Sequence, residues 1–262
     1  MNWAFWVGIF AATGAIVYTF IAGGGGGRSL FNIHGVAVVL GGTAVATLIN
    51  CPFRNIASAL ANVAALFLPP RMPAAEAIVA EMSRLARRAQ TEGGLLSLQG
   101  ESREFAVGFL NRAITVAIAT GESNETRRIL EAEIRQLRIR HQEEANLLRT
   151  MGTLSPMFGL LGTLLGMIHV LETISSPTKV GPAMALALSS AFVGIAFANM
   201  VCVPISGQMR LRAMTQTMAM EMILEGVLDV AAGKPPSLVE LHLIGYAEER
   251  RREREAPAPA PR

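Results

Sequence analysis

Polar and apolar positions along the chain fall into two regimes. Four stretches are apolar and free of charge: "WAFWVGIFAATGAIVYTFIA" (residues 3–22), "SLFNIHGVAVVLGGTAVATLINCPF" (29–53), the run that opens after Arg149 and ends before Glu172, and the run between Lys179 and Arg210. Each has the roughly 20 residues that a helix needs to cross a bilayer core. Between the second and third runs, apolar residues recur at three- and four-residue spacing, which is the helical period of a half-buried face. That spacing predicts one helix in "PPRMPAAEAIVAEMSRLARRAQTEGG", from a proline start to a double glycine. It predicts a longer one in "NETRRILEAEIRQLRIRHQEEANLLRTM", with Asn124 as N-cap, running straight into the third apolar stretch. The closing "EERRREREAPAPAPR" is a charge run followed by a Pro-Ala repeat; it cannot bury a core, is expected to be disordered, and is assigned no site.

Composition agrees with a membrane protein. The 262 residues are 51% hydrophobic and only 16% charged, too apolar for an ordinary soluble domain. The expected class is therefore an all-α polytopic membrane protein: four transmembrane helices and a helical cytoplasmic domain. The boundaries follow from the pattern, with spans one and two and a short outer loop in 1–53, a cytoplasmic helical domain in 54–149, and spans three and four in 150–209. A cytoplasmic C-terminal helix and its tail take 210–262. No positive residue precedes the first run and no small-residue cleavage pattern follows it before Arg28, so it reads as a span and not as a signal peptide.

Charge placement sets the expected orientation. The segments 54–149 and beyond Arg210 hold nearly all the Lys and Arg, while "GGGGGRSL" and "SSPTKVGP" hold one each. Lys and Arg are retained on the cytoplasmic side, so both termini are expected there. The net charge of +3 is then topology, with Arg interleaved among Glu, and no nucleic-acid partner is implied. Cys51 and Cys202 stand far apart without metal or disulfide spacing and read as packing residues.

The third run, "TMGTLSPMFGLLGTLLGM", mixes helix breakers and hydroxyls with leucines. At 3.6 residues per turn Pro156, Gly159, Thr163 and Gly166 share a narrow stripe, and Gly162 with Gly166 forms a small-xxx-small pair. Ala183, Ala187, Ser190 and Gly194 do the same in the fourth run. Two readings stand for these stripes. Glycines let backbones approach, and a membrane threonine bonds the carbonyl one turn back; alternatively, the Thr163 hydroxyl lines a hydrated path or coordinates a cation. Pro156 and Pro204 bend their helices near the cytoplasmic end, either merely ending the spans or transmitting small motions to the cytoplasmic domain. No Asp, Glu, Lys or Arg lies inside any of the four runs; His169 and Glu172 sit at the outer end of the third. An ion carrier needs an intramembrane ionisable group, so a second chain must supply it.

"SPMFGLLGTLLGMIHVL", "GPAMALALSSAFVGIAFANMVCVPI" and "VAVVLGGTAVATLINCPF" resemble spans three, four and two of the flagellar stator A subunits, the MotA and PomA proteins of the MotA/TolQ/ExbB superfamily. The resemblance runs in order to about residue 250. The TolQ and ExbB branch has three spans and lacks the "VLGGT" span. What the resemblance implies is a homopentamer around a dimer of a MotB/PomB-type B subunit, whose Asp carries the ion, in the bacterial inner membrane. Ion flow would turn the pentamer against a cytoplasmic rotor. Pro156 and Pro204 match the family's functional prolines. Thr163 matches the span-three threonine of sodium-driven members, with Ser190 and Ala191 completing the expected ion pathway in span four; the ion is Na+ or H+, with Thr163 favouring Na+. Gly159, Gly162, Gly166 and Gly194 take the helix-packing role.

Two departures bear on function. The usual span-four threonine is Ala191 here. In the rotor-contacting stretch, Thr91 and Gln99 stand where an arginine and a glutamate are typical, leaving Arg87, Arg88, Glu92 and Gln99 as the expected contact. A MotA-like or ExbB/TolQ-like subunit powering a non-flagellar machine is the alternative. No phosphate loop, HExxH or Ser/His/Asp grouping suggests an enzyme, and no cofactor or metal site is expected.

Overall fold

The computed structural model describes residues 33–68 and 72–255, together with positions 7, 8, 11, 14, 15 and 18 of the first apolar run. The expected first span therefore lies largely outside the described residues, as does the Pro-Ala tail from 256. All regular structure among the described residues is helical: α1 (Ile33–Asn50), α2 (Phe53–Leu66), α3 (Ala75–Thr91), α4 (Phe109–Thr120), α5 (Ser123–Glu172), α6 (Pro177–Phe197), α7 (Val203–Ala231) and α8 (Pro236–Glu255). A wide π-type turn, Ala198–Cys202, joins α6 to α7 so that Val180–Ala231 is one continuous helical path. Ile33–Asn50, Ser123–Glu172 and Val180–Ala231 are long and apolar enough to cross a membrane.

Four sequence expectations change. α5 begins at Ser123, so Asn124 lies inside the first turn and is not its cap; the Thr126 hydroxyl donates to the Glu122 carbonyl there instead. The second apolar run stops at Cys51 and Pro52, both extended, and α2 starts again at Phe53. α4, unheralded in the polar insert, is apolar on the face that reaches the core. The charge run expected to be disordered is helical to Glu255: α8 is anchored by Val239 and Leu243, and Glu and Arg alternate at spacings that suit a helix.

The chain divides into two units, Met1–Pro69 with His141–Arg210, and Pro70–Arg140 with Leu211–Arg262. In the second unit, α3, α4, α8 and parts of α5 and α7 close on one core. Ile78 and Met82, Leu110 and Ile114, Leu130, Ile223 and Leu243 are all at most 1% exposed. Burying each such side chain contributes about 1.5–3 kcal/mol. Ion pairs strap the helices outside that core. Arg127 grips Glu225 with two bonds of 2.5 and 2.8 Å, Arg138 pairs with Glu221, and Arg112 reaches Glu133 at 2.9 Å. Asp229, buried at the end of α7, accepts from Lys234 at 2.6 Å and is bonded to His242, fastening α8 back onto α7.

In the first unit, α5 and α6 pack antiparallel along small residues. A Cβ on Gly166 would stand 2.6 Å from the Ala187 Cβ, one on Gly162 2.6 Å from the Ser190 Cβ, and one on Gly159 3.1 Å from the Ser190 carbonyl. A Cβ on Gly194 would lie 2.7 Å from the Ser155 carbonyl and 3.1 Å from the Gly159 Cα. α1 joins the same seam, with Gly35 against Ser189 and Ser190 and Gly42 under the Phe158 ring. Thr43 and Thr47, both buried, donate to the carbonyls of Val39 and Thr43 at 2.6 and 2.7 Å, so neither hydroxyl is orphaned.

Gly194→Ala is expected to destabilise the chain by about 1–3 kcal/mol, because the methyl meets backbone that cannot move aside. Gly207→Ala, with nothing within 4 Å, should be near neutral. Thermal unfolding of the two variants in detergent makes the comparison; equal losses would refute the backbone-contact account.

Candidate ion path and cytoplasmic rim

The α5–α6 seam is slightly rotated from the expected stripe. Its buried positions on α5 are Ser155, Gly159, Gly162 and Gly166, while Pro156 and Thr163 sit half-buried at its flank. On α6, Ala183, Ala187, Ser190 and Gly194 are buried. Gly159, Gly162, Gly166 and Gly194 all line the contact. Ser155 was not singled out by the pattern, yet its hydroxyl donates across the seam to the Gly194 carbonyl at 3.1 Å and is fully enclosed. A hydroxyl inside a small-residue stripe is the signal that would have found it.

The three path residues separate. Thr163 donates to the Leu160 carbonyl at 2.6 Å, which leaves the lone pairs of its oxygen free on the half-buried flank. Ser190 is 1% exposed, held between Gly35 and Gly162, and donates to the Leu186 carbonyl at 2.9 Å. The glycines bring two backbones against it. Ala191 lies against Gly159 and offers no oxygen.

The prolines occupy different surroundings. Pro156 stands inside the continuous α5, one residue after Ser155, and withdraws one backbone donor. Pro204 follows the π-type turn, and that turn contains Met200, to whose carbonyl a proline nitrogen has no hydrogen to donate. Asn199, in the same turn, donates its side-chain amide to the Ile195 carbonyl at 3.0 Å.

At the far end of α3 the expected rotor-contacting residues also separate. Arg88 is committed within the chain, 2.8 Å from Glu92 and 2.9 Å from Glu101. Arg84 binds Glu81 at 2.7 Å and approaches Glu101 at 3.6 Å, and the Ser102 hydroxyl donates to Glu81. Glu101 and Ser102 were missed because they lie beyond the helix, in a loop whose left-handed residues Gly100 and Ser102 fold it back onto α3. Arg87 and Gln99 are exposed, and Arg87 has no ion-pair partner among the described residues. The Arg84 guanidinium, more than the Ser102 hydroxyl, holds the Glu81 carboxyl below its ordinary value, while Glu92 and Glu101 raise that of Arg88.

A seam of small residues runs through apolar helical stretches that carry no Asp, Glu, Lys or Arg, and no cluster of metal-ligating side chains occurs among the described residues. Residues 99–222 match the model of the MotA/TolQ/ExbB proton channel family. The chain is 25% identical to Motility protein A of Treponema pallidum over 97% of this chain and 96% of that one. It is 27% identical to Chemotaxis protein PomA of Vibrio alginolyticus over 96% and 98%. The fold is shared with the flagellar MotAB stator complex of Bacillus subtilis, at a TM-score of 0.83 and 24% identity, covering 96% of this chain and 98% of that one.

Because the folded Glu81 carboxyl is depressed, its stabilisation is fully present above the ordinary value of 4.5 and is lost as pH falls through the lower folded value. The purified chain should therefore lose stability to acid in that range. Glu81→Gln should flatten that part of the profile; an unchanged profile would remove the network from the acid response.

Proposed function

We propose that the chain is the A subunit of a flagellar stator unit. With a B subunit carrying the essential Asp, it couples cation flow across the bacterial inner membrane to rotation of a cytoplasmic rotor. The observation that carries this reading is the absence of any Asp, Glu, Lys or Arg in the apolar stretches 33–50, 150–171 and 180–209, in a fold shared with MotAB complexes. A chain with a packed seam and no carboxylate of its own needs a partner to carry ions. Five copies around a B dimer, with both termini cytoplasmic, complete the arrangement, and membrane lipid surrounds the exposed leucines of α5.

Thr163 is the ion-path residue of the chain, since an oxygen that donates to its own backbone keeps lone pairs for a passing cation. Sodium holds several oxygen ligands as it moves, whereas a proton needs a carboxylate and water, so the hydroxyl supports sodium coupling. Flux through liposomes of the full A–B complex is expected to follow sodium at fixed pH and to lose that dependence in Thr163→Ala. The A chain alone should pass neither ion. Flux indifferent to sodium and abolished by an uncoupler would assign protons and return Thr163 to packing.

Pro156 and Pro204 are the coupling points, each interrupting a long helix that continues beyond the apolar seam. Pro156→Ala restores a backbone bond and should leave assembly intact while reducing torque at least tenfold. A variant that fails to assemble would make the proline structural.

At the rim, Arg87 is the cation offered to a rotor, together with the exposed Gln99, because Arg88 and Glu92 are already paired. Arg87→Glu is expected to weaken rotation with ion flux unchanged, and to do so more than Arg88→Glu. Equal rotation in both would place the contact elsewhere.

A further inference from the structure

The outward face of α2 has the polarity of a surface in lipid and not of one in water. Phe53, Ala57, Leu60, Ala64 and Phe67 follow one another at steps of four and three residues, which is one stripe of a helix, and all five are exposed. The three large side chains are 74%, 60% and 57% exposed. Arg54, in the first turn, is the one charged residue of the helix. The polar residues lie on the other side. Asn55, Ser58 and Asn62 are half-buried; Ser58 donates to the Asn55 carbonyl at 3.0 Å, and the Asn62 amide donates at 2.6 Å to the carboxylate of Glu144, itself 2% exposed. On that side Val63 and Leu66 pack against Ala145, Leu148 and Met209. A surface helix in water turns its polar residues outward, and α2 turns them inward.

We propose that α2 lies along the membrane surface where α1 ends, with Phe53, Leu60 and Phe67 among the lipid acyl chains and the Arg54 guanidinium at the headgroup phosphates. The inference rests on α1 crossing the membrane, as the function proposed above requires. Covalent geometry places α2 there: only Cys51 and Pro52 separate it from α1, so Phe53 stands within about 11 Å of Asn50. α1 exposes Val45, Leu48 and Ile49 near that end, and Phe53 follows Ile49 with no charged residue between them. Lipid, and not a second copy, is the partner this face fits. A protein interface carries a polar rim and roughly one hydrogen bond per 100–200 Å2, whereas the stripe has no side-chain donor or acceptor apart from Arg54 at its margin. An arginine there can lay its apolar stem along lipid while its head stays in water. An apolar helical face bordered by a cation is the form that rests in the interface plane.

The test uses the full chain with Cys51→Ser, co-produced with a cysteine-free B subunit and reconstituted in phospholipid vesicles. A nitroxide is attached at Phe53→Cys, Leu60→Cys or Phe67→Cys, and its collisions with oxygen, which concentrates in lipid, are compared with those of a water-soluble nickel chelate. Val45→Cys in α1 and the exposed Glu104→Cys mark the lipid and water limits. The three α2 labels should show an oxygen-to-nickel ratio several-fold above that of Glu104→Cys and close to that of Val45→Cys, while Ser58→Cys, on the inward side, should collide little with either. Ala57→Cys and Ala64→Cys lie on the same stripe and change the least volume, so they decide the matter if the larger exchanges disturb folding. Labels that favour nickel place the stripe in water, and labels that meet neither reagent place it under protein, a second copy or the segment before α1; either result overturns the inference and leaves the membrane reading of α1 standing. A nickel-accessible label at Val45→Cys overturns both.

Discussion

Everything in the membrane unit depends on how closely the backbones of α5 and α6 approach. In lipid, side chains gain nothing from leaving water, so helices associate through dispersion contact and the few hydrogen bonds they can exchange. Contact of that kind needs residues without bulk. Gly159, Gly162 and Gly166 on one helix meet Ser190, Ala187 and Gly194 on the other at distances that leave no room for a methyl group. The single cross-seam hydroxyl, Ser155, adds direction to a contact that glycine alone leaves free to slide. The prolines and the threonine assigned to function are then placed by the seam: Pro156 and Thr163 are at its flank because the glycines occupy its centre.

The cytoplasmic unit is built on the opposite principle. There the hydrophobic effect closes a core of large side chains, and charged pairs at the surface set the register of the helices around it. Arg127 with Glu225 and Arg138 with Glu221 bind α5 to α7, and the buried Asp229 binds α8 through His242 and Lys234. Surface ion pairs contribute little stability singly. Their consequence is a division of the rim into charges already answered and charges left open. Arg84 and Arg88 belong to the first group, and Arg87 belongs to the second.

Two prolines stand inside the long helical paths. A proline removes a donor from the helical ladder, and the vacated carbonyl must be accommodated locally because lipid offers no replacement. α5 accommodates Pro156 within a continuous helix, whereas the path into α7 widens to a π-type turn before Pro204. The same residue type thus yields two local geometries, decided by the surrounding packing.

The apolar runs, the helical class and the missing intramembrane charge were determined by sequence alone, because bilayer thickness and the 3.6-residue period leave few alternatives. The long α5 was legible for the same reason, since the helical period of its first half runs without a break into the apolar stretch that follows. Tertiary structure alone decided which hydroxyl is enclosed and which is free. Ser190 and Thr163 look equivalent as small polar residues on apolar helices, but Gly35 and Gly162 close over the first and leave the second at the flank. It also decided that Arg88 is paired and Arg87 is not, since Glu101 reaches α3 only through a loop bent by left-handed residues. Periodicity reports the face on which a residue sits; the neighbour across that face depends on contacts distant in the chain.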